Sequence, residues 1–262
     1  MNLLFLIIIF SVLGGVLSVL AASAYLLLSE EARSKLMPHL VSFATGSLLG
    51  TAFLTLLPHA MEGAGITSVH NITTTVLLGI MGFFLLEKMV LWRHCHHEEC
   101  EVHGTEHDHD HEPTKPAGMM ILIGDGMHNF VDGILIAAAF MTDVHVGIVV
   151  SLAVAAHEIP QEVGDFAILL HSGYSRSKAL LYNILASLTT VVGGVLAYYS
   201  LASMELAIPY VLAVAAASFI YIAVADLIPT LHQRSEIRVT IQQILLISSG
   251  VIIIYITHSS LH

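Results

Sequence analysis

Long apolar runs, broken at near-regular intervals by short polar stretches, fill most of the chain. A hydrocarbon core of about 30 Å needs roughly 20 apolar residues wound as a helix. On that ruler the pattern predicts eight membrane-spanning helices, over residues 3–28, 37–58, 72–92, 118–141, 145–170, 178–200, 207–228 and 239–257. The fold class is therefore an all-α polytopic membrane protein, read as a single transmembrane domain over 1–262. Met1-Asn2 ahead of the first run carries no basic residue, so that run is expected to be a retained helix and not a cleaved leader. The fourth and fifth runs differ from the others, because ionisable residues interrupt them near their middles.

Composition supports the membrane class: 56% of the 262 residues are hydrophobic and only 11% are charged. A formal net charge of −11 excludes a nucleic-acid partner, which needs a basic face. The nine basic residues are distributed unevenly. Arg33 and Lys35 fall in the first connection, Lys88, Arg93 and Lys115 in or beside the third, Arg176 and Lys178 in the fifth, and Arg234 and Arg238 in the seventh. The alternate loops and both ends have none. The positive-inside rule then places those four connections in the cytoplasm and both termini outside. For a prokaryotic chain the membrane is the plasma (inner) membrane.

Two short echoes suggest an internal repeat. Gly14-Gly15-Val16-Leu17 in the first helix recurs as Gly193-Gly194-Val195-Leu196 in the sixth, and Leu57-Pro58 in the second resembles Ile228-Pro229 in the seventh. The paired helices run in opposite directions, so the repeat would be inverted, with helices four and five between its halves.

The connection over 94–116 has another composition altogether. Within it, His94, Cys95, His96, His97, Cys100, His103, His107, His109 and His111 stand among acids with almost nothing apolar. Such a segment cannot bury enough surface to fold alone, and it is expected as a cytoplasmic loop. Imidazole and thiolate suit zinc and copper, and the irregular spacing points to weak, multiple metal binding instead of one tight fold.

The chemistry concentrates in Asp125-Gly126-Met127-His128-Asn129-Phe130-Val131-Asp132-Gly133 and in His157-Glu158-Ile159-Pro160-Gln161-Glu162-Val163-Gly164-Asp165. Ionisable groups inside a span are costly, and they ordinarily face the bundle interior and serve function. His128 and Asp132 are four apart and share a helix face, with Asp125 one turn earlier. His157 and Gln161 are likewise four apart, with Asp165 a turn beyond. Glu158 and Glu162 form an adjacent stripe, and Asn129 neighbours His128. Two such faces in contact would offer imidazole, carboxylate and amide donors suited to Zn²⁺, with Fe²⁺, Mn²⁺ or Cd²⁺ as competitors. Pro160 lacks an N–H to return to the preceding turn, freeing backbone oxygen near these groups.

These segments resemble the signature of the ZIP (Zrt-, Irt-like protein) family of metal transporters. HNFVDG matches its fourth-helix pattern, and HEIPQEVGDF is similar to the fifth-helix pattern HExPHExGD of one large branch. The resemblance implies a 3+2+3 inverted-repeat arrangement, a homodimer, and zinc uptake into the cytoplasm by movement of one helix bundle. It further implies a primary metal site from His128, Asp132, His157 and Gln161, and a neighbouring one involving Asn129, Glu158 and Glu162. Zinc would be the transported ion, with no separate cofactor. Gln161 departs from the branch pattern, a neutral amide standing where histidine is usual, and Val131 stands where some members carry proline. Two other functions compete. An intramembrane metalloprotease would read His157-Glu158 as the opening of HExxH, but position 161 is Gln. A metal sensor or buffer acting through the 94–116 loop would leave the intramembrane carboxylates without a purpose.

Overall fold

The computed structural model describes residues 2–65, 68–95, 115–232 and 236–261. These form eight helices long and apolar enough to cross a membrane, and the described residues contain no strand. They are α1 (Leu3–Tyr25), α2 (Glu30–Ala64), α3 (Val69–Cys95), α4 (Lys115–Thr142), α5 (Val144–His171), α6 (Arg176–Leu201), α7 (Glu205–Leu231) and α8 (Ile237–Leu261).

Helix α2 begins seven residues before its apolar run. Ser29 caps it by accepting the Ala32 N–H, Glu30 and Glu31 occupy its first turn, and Glu31 pairs with Lys35 one turn on. Acids suit a helix N-terminus, so the helix forms before hydropathy registers it. Helix α1 ends three residues short of the expected Leu28. Leu26 and Leu27 bond back to Ala22 and Ala24, which closes the last turn.

Helices α2 and α7 share one irregularity. Each contains a π-helical turn, Ala52–Leu56 and Ile222–Leu227, closed by Leu57 N–H to Ala52 and by Ile228 N–H to Ala223. Pro58 and Pro229 follow at once. A proline offers no N–H to the helix ladder, and the register slips by one residue ahead of it. The faint Leu-Pro and Ile-Pro echo thus marks equivalent turns in equivalent helices.

The packing follows the same equivalence. Helix α1 lies on α5 as α6 lies on α4, α2 lies on α8 as α7 lies on α3, and α2 meets α5 as α7 meets α4. Exchanging 1 with 6, 2 with 7, 3 with 8 and 4 with 5 returns the principal neighbours. This is a 3+2+3 inverted repeat about the central pair. At the α4–α6 crossing the backbones touch: a Cβ on Gly133 would fall on the Thr190 carbonyl and 2.8 Å from the Gly194 nitrogen, and one on Gly193 would fall on the Phe130 carbonyl. Glycine permits that approach, and it fixes the depth of α4, which carries half of the polar groups.

Candidate functional site

His128 and Asp132 stand one turn apart on α4, facing His157 and Glu158 on α5. The two imidazole Nε2 atoms are 3.2 Å apart. Asp132 Oδ2 lies 3.3 Å from His157 Nε2 and 3.9 Å from His128 Nε2, and Glu158 Oε1 lies 3.8 Å and 3.5 Å from the same two atoms. A tetrahedral ion with ligands at about 2.0–2.1 Å sets those ligands roughly 3.3–3.4 Å from one another. The observed separations bracket that figure.

The ring of His157 is prepared for such a role. Its Nδ1 lies 3.0 Å from the Ala153 carbonyl oxygen, which can only accept, so Nδ1 carries the proton. A neutral imidazole in that tautomer presents its lone pair at Nε2, the form a metal takes. Asp132 and Glu158 are buried, and none of their carboxylate oxygens has a hydrogen-bond partner among the described residues. Buried carboxylates without donors or cations are expensive. A bound cation is the compensation this geometry accommodates.

A second cluster adjoins the first. Carboxylate oxygens of Asp125, Glu158 and Glu162 lie within 4.8 Å of one another, and all three residues are buried. Glu158 belongs to both groups. Asn129 stands beside them with both ends of its amide engaged: its nitrogen donates to Asp125 Oδ1 at 2.8 Å, and its oxygen accepts from Thr190 Oγ1 at 2.8 Å. In this arrangement Asn129 orients Asp125 beside the two clusters. Gln161, expected beside the histidines, lies within reach of Asp125 and lines the approach to the site.

That approach is a cavity of about 830 Å³ between α2, α3, α4, α5, α7 and α8. His128, His157, Asp125, Gln161 and Asp165 line one wall, with Glu87, Asp226 and Thr230 opposite. It extends to Ser34 and Gln243, at the end of the bundle that carries the basic connections. On the other side of the histidines the bundle is shut. Leu48, Leu56, Ile136, Phe140, Val150 and Phe219 belong to one buried apolar core there, and the Phe219 ring packs 6.0 Å from the His157 ring.

A sequence model described as ZIP Zinc transporter matches residues 1–115 and 91–258. The chain is 31% identical over 239 residues to Zinc transporter ZIP13 of Pongo abelii, covering 87% of this chain and 68% of that protein. It is 32% identical over 269 residues to Zinc transporter zipt-7.2 of Caenorhabditis elegans, covering 84% of this chain but only 58% of the nematode protein. A shorter match, 42% over 118 residues, joins it to Zinc transporter ZIP10 of Danio rerio, covering 45% of this chain and 14% of that protein.

The chain belongs to the ZIP family.

It is a membrane transporter of metal ions and not an enzyme, so the metalloprotease alternative falls. The site agrees: α5 of this ZIP protein offers Gln161 where a zinc protease needs its second histidine. Two further acids, Asp125 and Asp226, line the cavity. Asp125 sits three residues before His128, a spacing that already placed it on the same face. Asp226 reaches the cavity wall from within the π-helical turn of α7, and no periodic rule anticipates that. Of the His-rich connection, His96, His97, Cys100, His103, His107, His109 and His111 lie outside the described residues, as do the side chains of His94 and Cys95. His59, near the end of α2 away from the cavity, packs edge-on against His258 with ring centroids 5.5 Å apart.

Proposed function

We propose that this ZIP protein carries zinc into the cytoplasm through the cluster of His128, Asp132, His157 and Glu158. The observation that carries the reading is the facing imidazole pair, joined by two donorless carboxylates, at the closed end of a one-sided cavity. Two nitrogens and two oxygens at tetrahedral separations favour zinc over the harder Mg²⁺ and Ca²⁺, with Fe²⁺, Mn²⁺ and Cd²⁺ as the competitors. The adjoining Asp125, Glu158 and Glu162 offer a second, all-oxygen station. Similarity to proteins named zinc transporters supports the same ion. The direction rests on charge: the cavity opens where the basic connections lie, and basic loops stay on the cytoplasmic side. The His-rich 94–116 loop then faces the same compartment, where it would bind metal weakly, and the transporter works as a homodimer in the plasma membrane.

Competition uptake into proteoliposomes tests the ion and the direction together. Zinc should enter, with cadmium the strongest competitor and magnesium inert; magnesium competing as well as cadmium would overturn the assignment. Cysteine labelling tests the orientation. A cysteine at Gly65 should react from outside and one at Thr105 only after permeabilisation, and reaction of both from one side would refute the topology.

Gln161 gives a sharper expectation. The Gln161→His variant should shift preference toward zinc relative to manganese by about tenfold, because imidazole binds zinc more strongly than a neutral amide oxygen does. Turnover should fall as release slows. An unchanged ranking of metals would remove position 161 from the ion's contacts.

A further inference from the structure

Helix α6 lies outside both signature segments, yet it walls the second carboxylate cluster. Two of its polar side chains, Asn183 and Thr190, are fully buried, at 0% exposure. They are seven residues apart, two turns along one face. The same helix turns Leu181, Leu185, Val192 and Leu196 outward, so its polar stripe is confined to the inner side. Thr190 Oγ1 donates to Asn129 Oδ1 at 2.8 Å, which leaves the Asn129 nitrogen to donate to Asp125 Oδ1 at 2.8 Å. Thr189 adds an anchor by donating to the Gly126 carbonyl at 2.6 Å.

Asn183 is the less expected of the pair. It lies within hydrogen-bonding reach of Glu162, although neither its amide nor the Glu162 carboxyl makes a hydrogen bond of full geometry. A buried amide that is not fully hydrogen-bonded costs about 1–3 kcal/mol, and leucine would fill a similar volume without that cost. A ligand-bearing carboxylate gives the amide its purpose, because one amide can donate to a carboxylate and accept from a carboxylic acid.

We infer that α6 is the third helix of the ion site, with Asn183 positioning Glu162 and Thr190 positioning Asp125 through Asn129. The inference rests on the reading that the second cluster takes a cation. It assigns neither side chain to the metal itself. Each holds one of the two outer carboxylates at its angle, while Glu158 between them is shared with the histidine cluster. The signature helices thus supply the ligands, and α6 supplies their supports.

A double-mutant cycle on zinc uptake in proteoliposomes tests this, using wild type, Asn183→Leu, Glu162→Gln and the pair, with His157→Ala alongside. A hydrogen bond to a charged group is worth about 1.5–3 kcal/mol, so Asn183→Leu should lower kcat/KM by about tenfold or more. Support acting through Glu162 makes the pair no worse than Glu162→Gln alone, within about twofold. A packing role elsewhere makes the two losses multiply, and that result overturns the proposal, as does near-normal uptake by Asn183→Leu. If the leucine variant does not insert, the isosteric Asn183→Asp enters the same cycle under the same criterion. Normal uptake by His157→Ala would instead strike at the zinc pathway and not at α6, so the two failures are told apart.

Discussion

Replacing His157 by alanine should reduce zinc uptake at least 100-fold while the protein still inserts and purifies as wild type. The ring supplies one of two imidazole nitrogens and lies within 4 Å of His128, Asp132 and Glu158. Removing a residue that merely orients a metal ligand already costs 10–100-fold in typical sites, so deleting the ligand itself should cost more. The variant also leaves Asp132 and Glu158 with one imidazole, His128, between them. His128→Ala should behave alike, though less severely, because that ring is partly exposed to the cavity where water can replace it. Uptake within twofold of wild type in both variants would remove the imidazole pair from the pathway.

Gly133→Val should cost the fold itself. The Cβ would collide with backbone, the Thr190 carbonyl and the Gly194 nitrogen, and no rotation of a flexible side chain can relieve that. Overpacking of a tight interior costs about 1–3 kcal/mol where side chains can yield, and more where backbone must move. Forcing α4 away from α6 also breaks the Thr190–Asn129 and Thr189–Gly126 hydrogen bonds. We expect at least tenfold less monodisperse protein from equal membranes. Gly82→Ala is the control, since nothing lies within 4 Å of a Cβ there. Equal yields from the two variants would refute the account of the crossing.

Much of this was legible in the sequence, for identifiable reasons. Lipid imposes one length on every span, so apolar runs alone located eight helices, and the alternation of basic loops checked the count. The helix period alone puts His128, Asp132 and Asp125 on one face. Other features had no local signal. The start of α2 lay in polar residues, where hydropathy is silent and only the Ser29-Glu30-Glu31 cap spoke. The engagement of Asn129 by Thr190 joins residues 61 positions apart, a contact only the folded chain makes. Asp226 lines the cavity from within a π-helical turn, and Asn183 stands in neither signature segment.

The exchange of α4 with α5 makes the two signature segments copies of one motif. His128 corresponds to His157, Asn129 to Glu158 and Asp132 to Gln161, each at an offset of 29 residues. The copies have diverged in which of their positions carry charge. Asp125 and Asp165, on the cavity side, have Val154 and Ile136 as their counterparts, both inside the apolar seal. Asp132, the acid of the matched Asp–Gln pair, lies away from the cavity lining, and Gln161, its neutral partner, lies on it. A cation seated between the histidines would have Asp132 on its sealed side and the neutral Gln161, beside Asp125 and Asp165, on its open side.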